Sequence, residues 1–185
     1  TTTASALRGV TCAAGFVGSA AVACHQEGAN FTYSGCVACV AGKYTAAAGA
    51  PECLGCPAGQ YIDVAGSDGC IGCVAGKYVD TMYSDEASDC IDCAAGPYVE
   101  TMSSDDASDC IACPVGQYLS ATGSDDLSDC IECMLGTYVN ASGSDNATDC
   151  IGCVAGRFLN VTLSALASDC IASAHGKYGV VEGSG

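Results

Sequence analysis

Polar and apolar positions in this chain repeat over a distance too long for a helix turn or a strand pleat. The skeleton Cys-x-x-Cys-x-x-Gly-x-Tyr returns along most of the sequence. Double-cysteine steps begin at Cys36, Cys53, Cys70, Cys90, Cys110, Cys130, Cys150 and Cys170, at intervals of 17, 17 and then 20 residues. A glycine and an aromatic follow each step, as in Gly76/Tyr78, Gly96/Tyr98 and Gly156/Phe158. A few β-forming residues come next, such as Tyr78-Val79 or Tyr138-Val139. A small polar turn such as Ser124-Asp125-Asp126 then leads into the following step. No segment holds apolar residues at helical spacing over a useful length, so the pattern predicts short strands and turns with little helix.

A 20-residue unit cannot close a hydrophobic core alone, but stacked units share one. The expected fold is therefore small, disulfide-rich, mostly β and irregular. It is an elongated, solenoid-like tandem-repeat rod of ~20-residue units stapled by serial disulfides. The organisation reads as an N-terminal module over 1–35, tandem cysteine-rich repeats over 36–172, and a truncated last unit with a tail over 173–185. In each unit the aromatic is expected to pack on the neighbouring disulfide, and the glycine to allow close backbone approach.

Composition adds the reason for the staples. The chain has 185 residues, no Trp, three Phe and three Met, against 17 Cys. That cysteine density marks a disulfide scaffold and, with it, an oxidising compartment. The net charge of −16, from five basic and 21 acidic residues, repels phosphate backbones and anionic lipid. Nucleic-acid binding is excluded on that ground, and no apolar run is long enough to span a membrane. All four asparagines, Asn30, Asn140, Asn146 and Asn160, lie in Asn-x-Ser/Thr triplets. Each is an N-glycosylation acceptor, which again points outside the cell.

The cysteine pairs admit three uses. Repeated Cys-x-x-Cys fits a zinc template, but an unbroken series leaves the grouping of ligands ambiguous, and the last step reads Cys170-Ile-Ala-Ser173. A redox pair needs a βαβ setting and a stabilised thiolate, and basic residues are scarce. Structural disulfides remain, and Ser173 selects their order. If each step bonded within itself, Cys170 would lack a partner. If the second cysteine of each step bonds the first of the next, serine at 173 costs nothing. The pairs are then Cys39–Cys53, Cys56–Cys70, Cys73–Cys90, Cys93–Cys110, Cys113–Cys130, Cys133–Cys150 and Cys153–Cys170. Cys12, Cys24 and Cys36 are left over. One more pair is expected among them, Cys24–Cys36 or Cys12–Cys24, and one thiol stays odd. Cys24 and Cys36 complete the set of expected disulfide cysteines.

Asp89, Asp109, Asp129, Asp149 and Asp169 each precede a cysteine, which suits a local turn in which the side chain accepts backbone N–H groups. Calcium is the competing use of such carboxylates, but no EF-hand-like loop is present; no cofactor is expected beyond covalent glycans. Asn140 and Asn160 occupy a phase that carries Asp63, Asp80, Glu100 and Ser120 in other units. Positions that take a charge in one unit and a sugar acceptor in another face water. The two histidines, His25 and His175, have no motif, orienting partner or cleft, and the chain is not expected to be an enzyme.

Cys-x-x-Gly-x-Tyr, a turn, then Asp-Cys-x-x-Cys resembles the cysteine-rich repeats of tumour-necrosis-factor receptors and ephrin receptors, and similar arrays in protist surface proteins. The resemblance covers residues 36–178 or so. It implies a disulfide-stapled extracellular module in which Cys-x-x-Gly-x-Tyr closes onto the next single cysteine, in agreement with the serial order. The uniform 20-residue period sets this chain apart from those receptors. Near-identical units suit assembly, and the expected role is that of a structural extracellular glycoprotein, the subunit of a surface or secreted fibril. Its partners would be copies of itself joined head to tail through residues 1–35 and 173–185. The alternative is a receptor or adhesin ectodomain fragment that binds a protein or a polysaccharide.

Overall fold

The computed structural model describes residues 10–23 and 32–174. They form antiparallel two-stranded pairs and short 3₁₀ turns. The first pair is the longest: β1 (Phe16–Ala23) runs against β2 (Thr32–Ala38), with an irregularity between Gly18 and Ala21. Every later strand has two residues, and each pairs the unit's aromatic with the residue after the next first cysteine. Tyr98 thus faces Ile111, Tyr118 faces Ile131, and Phe158 faces Ile171. The chain divides into two compact units, Thr1–Cys73 with Val79–Asp89, and Val74–Tyr78 with Cys90–Gly185.

All described cysteines are disulfide-bonded. Cys39–Cys53, Cys56–Cys70, Cys93–Cys110, Cys113–Cys130, Cys133–Cys150 and Cys153–Cys170 join the second cysteine of one step to the first of the next. Cys73 and Cys90 are bonded as well. The tandem-repeat fold stapled in series is therefore as the sequence predicts.

The N-terminal pairing differs from expectation. Cys36 bonds Cys12, with Cα atoms 5.5 Å apart, so neither Cys24–Cys36 nor Cys12–Cys24 forms. Cys24 lies outside the described residues. The reason is that Cys12-Ala-Ala-Gly15 is itself the second half of a step. Gly15 donates to the Thr45 carbonyl (2.7 Å) and accepts from Cys39 N–H (2.9 Å), as the repeat glycines do. Cys12 therefore acts as a second cysteine and closes onto the next first cysteine, Cys36. The serial ladder starts at Cys12, and the loop it closes carries the long hairpin as an insertion.

Between consecutive loops the backbone bonds follow one scheme. From loop 93–110 to loop 113–130, Gly96 N–H donates to Leu119 O (2.8 Å) and Val99 N–H to Ser124 O (3.1 Å). In return Cys113 N–H donates to Gly96 O (3.0 Å) and Gly123 N–H to Cys93 O (2.9 Å). The same four bonds join loop 113–130 to loop 133–150 through Gly116, Leu119, Cys133 and Gly143. They also recur from loop 39–53 to loop 56–70 through Gly42, Thr45, Cys56 and Gly66. Ser173 keeps the backbone half of the scheme, donating to Gly156 O at 2.9 Å without a sulfur.

The core is one small cluster per loop. The second cysteines from Cys39 to Cys153 are buried, and so is the residue after each aromatic: Ile62, Val79, Val99, Leu119, Val139 and Leu159. Tyr98 packs on the Cys113–Cys130 disulfide and Leu119, and Tyr138 on Cys153, Leu159 and Cys170. The expected aromatic–disulfide contact is present, but the aliphatic residue beside the aromatic is the more deeply buried partner. Burying such a side chain contributes about 1.5–3 kcal/mol. With so few per loop, the disulfides carry a large share of the stability, about 3 kcal/mol each in the loop-entropy model.

Candidate functional site

Everything outside the cysteine–glycine–aromatic frame is gathered in the segment between the buried aliphatic residue and the next first cysteine. That segment begins with an exposed position: Asp80, Glu100, Ser120, Asn140 or Asn160. Three residues later the backbone takes a left-handed turn, at Gly123 (φ 67°) and Gly143 (φ 70°) but also at Tyr83 (67°), Ser103 (62°) and Leu163 (59°). A left-handed conformation costs a non-glycine residue roughly 1–2 kcal/mol. At Tyr83 it is held by a loop-to-loop bond from the residue's own N–H to Cys56 O at 2.9 Å, and Gly123 and Gly143 make the same bond to Cys93 O and Cys113 O.

A buried serine follows: Ser84, Ser104, Ser124, Ser144 or Ser164. The carbonyls of Ser84, Ser124, Ser144 and Ser164 receive the aliphatic residue's N–H from the preceding loop, as in Leu119 to Ser144 (2.9 Å). Ser84 and Ser104 hydroxyls are satisfied locally, through Thr81 and Thr101. A three-residue 3₁₀ turn then leads into cysteine, for example Ala107–Asp109 and Ala147–Asp149.

The acidic pairs are the caps of these turns. Asp106 accepts from Ser108 N–H and Asp126 from Ser128 N–H, both at 2.7 Å. These backbone bonds, helped by the serine hydroxyls, hold both carboxyls below their ordinary value of 3.8. The second aspartate reaches back: Asp109 accepts from Asp105 N–H (3.0 Å) and Asp106 N–H (3.3 Å), and Asp149 from Asn146 N–H (3.2 Å). The local-turn reading of Asp89, Asp109, Asp149 and Asp169 holds in this geometry. Asp85, Glu86 and Asp89 bring ligand atoms within 4.8 Å of one another. One oxygen of Asp89 is already taken by the Asp85 and Glu86 amides (3.0 and 3.3 Å), so turn closure accounts for the cluster.

Asn146 stands where Asp106 and Asp126 stand, and caps in the same way, accepting from Thr148 N–H and O–H at 2.9 Å each. Asn140 and Asn160 open their segments and are exposed. Asn30 and both histidines lie outside the described residues. The signal missed in the sequence was Cys12-x-x-Gly15, half a step without its first cysteine.

No described cysteine offers a thiolate to zinc or to a nucleophilic reaction, since each is in a disulfide. Among the described residues no helix is long and apolar enough to cross a membrane. The family model described as tyrosine-protein kinase ephrin type A/B receptor-like matches residues 80–130. The resemblance carried by the Cys-x-x-Cys-x-x-Gly-x-Tyr skeleton is thereby upheld over these residues, which are similar to a receptor-like cysteine-rich module of extracellular type. No curated protein matches the chain.

Proposed function

We propose that this is a structural extracellular protein whose loops assemble end to end with those of further copies, forming a fibril. The observation that carries this reading is the loop-to-loop bonding. Loops 39–53, 56–70, 93–110 and 113–130 each offer the glycine N–H, the N–H of the residue after the aromatic and the second-cysteine carbonyl to the next loop. The next loop offers the matching carbonyls and N–H groups in return. Any end of such a ladder presents backbone groups complementary to the opposite end of a second copy. Identical head-to-tail contacts that do not close a ring make a filament. Unpaired backbone edges are a ready template for that addition.

The acidic surface, with −16 net charge, favours such end contacts over side-by-side ones, because flanks of like charge repel. Electron microscopy and sedimentation of the purified full chain test the reading. Filaments with a regular subunit repeat are expected. A species that stays monomeric across a wide concentration range would sink it.

A receptor or adhesin ectodomain is the second reading, favoured by the receptor-like match over residues 80–130. It predicts a monomer with no tendency to polymerise, so the same measurement divides the two.

A further inference from the structure

The variable segments hold one chemical feature that the end-to-end reading does not use. We infer that Asn140, Asn146 and Asn160 carry N-linked glycans, and that the sugar on Asn146 leaves its turn cap intact. The inference rests on the extracellular reading and goes beyond it. All three asparagines are exposed, and so are the hydroxyl residues that complete their triplets, Ser142, Thr148 and Thr162. Asn140 and Asn160 sit one 20-residue period apart, at the phase filled by Asp80, Glu100 and Ser120 elsewhere. The backbone bonds between loops are made at other positions, such as Gly116, Leu119, Cys133 and Gly143. An open groove of about 560 Å³ lies beside Asn140 and Thr148, so the first sugars meet solvent and not a neighbouring loop.

Asn146 poses the sharper question, because its side chain already has a structural task. The two tasks use different atoms. The cap is made by Oδ1, which accepts from Thr148 N–H and O–H. The sugar is attached through Nδ2. In the transfer, Nδ2 attacks the anomeric carbon of a polyprenyl-diphosphate-linked oligosaccharide. The bond from that carbon to the diphosphate oxygen breaks, the lipid diphosphate leaves with the electron pair, and Nδ2 gives up one proton. The product amide keeps its carbonyl oxygen and therefore its capping acceptor. Aspartate performs the capping task alone in Asp106 and Asp126.

The test uses the full chain exported by a eukaryotic cell, with its disulfides formed. Enzymatic removal of N-glycans in ¹⁸O-water converts each modified asparagine into a labelled aspartate, which peptide mass spectrometry locates. Label at 140, 146 and 160 is expected. A chain that is exported and fully disulfide-bonded but unlabelled at these positions overturns the inference while leaving the extracellular reading standing. A chain that is not exported in oxidised form overturns both. Asn146→Asp and Asn146→Ala then separate sugar from cap. Both lose the label at 146, but only Asn146→Ala is expected to speed amide exchange at Thr148. Equal acceleration in the two variants would show that the sugar, and not Oδ1, holds the turn, against the inference.

Discussion

Two kinds of loop stand side by side in this chain. The disulfides Cys39–Cys53 and Cys56–Cys70 close separations of 14 residues, whereas those from Cys93 onward close 17. The frame is common to both: a buried second cysteine, a glycine with positive φ, an aromatic strand and the loop-to-loop bonds. The left-handed position is also shared, at Gly49 and Gly66 in one class and Gly123 and Gly143 in the other; a serine follows it at Ser67 and Ser124, whereas loop 39–53 has Ala50 there. The three additional residues of the longer loops all fall after that position, where the capped 3₁₀ turn forms. Length thus varies only where no backbone bond to a neighbouring loop has to be kept. Acidic pairs and one of the asparagine acceptors, Asn146, lie in that free stretch.

If the two classes are equivalent in their frame, losing a rung costs the same in each. Replacing Cys113 and Cys130 by serine, or Cys56 and Cys70, is expected to destabilise the surrounding loops by about 3 kcal/mol. The two losses should agree to within about 0.2 kcal/mol, since closure entropy changes little between these loop lengths. Hydrogen exchange at the loop-to-loop amides measures this locally, which suits a repeat ladder better than one global transition. A marked inequality would break the comparison.

Glycine at the frame position sharpens it further. At Gly96 (φ 100°) a methyl group would fall onto the carbonyl oxygen of Gly143, in the loop after next, and at Gly42 (φ 78°) onto that of Tyr83. The contacts of a loop therefore reach beyond its immediate neighbour. Gly96→Ala and Gly42→Ala are each expected to cost about 2–4 kcal/mol, a left-handed penalty plus overpacking. Gly156 (φ 83°) meets no described atom within 4 Å, so Gly156→Ala carries only the conformational part, about 1–2 kcal/mol. Thermal or denaturant unfolding of the three variants checks the order.

The smallest effect is confined to the longer loops. Asp106 and Asp126 titrate below the ordinary carboxylate value because they accept backbone bonds in the folded turn. A carboxyl lowered on folding contributes stability above its unfolded pKa and loses it as pH falls through the folded value. Acid should therefore loosen the turns at Ser108 and Ser128 first, with faster amide exchange there. The turn at Gly66, which has no such cap, should not respond. A matching acid response at Gly66 would mean that the additional three residues are not the sensitive element.

Much of this architecture is legible without coordinates. The spacing of cysteine, glycine and aromatic residues specifies serial closure, because a disulfide needs only two sulfurs brought close and the missing partner at Ser173 removes the within-step alternative. The aspartate turns are legible for a similar reason, since a cap and its amide lie two to four residues apart. Three features were decided only in the folded chain. Cys12 bonds Cys36 because Gly15 hydrogen-bonds with Thr45 and Cys39, and a half-step with one cysteine does not announce that by spacing. Tyr83, Ser103 and Leu163 adopt a left-handed conformation that their own side chains disfavour, at Tyr83 with its N–H bonded to Cys56 O in another loop. The need for glycine at 96 comes from a carbonyl 47 positions further on, Gly143. Local chemistry is written in neighbouring letters; contacts between loops one and two repeats apart arise from stacking, and only the stack shows which atoms meet.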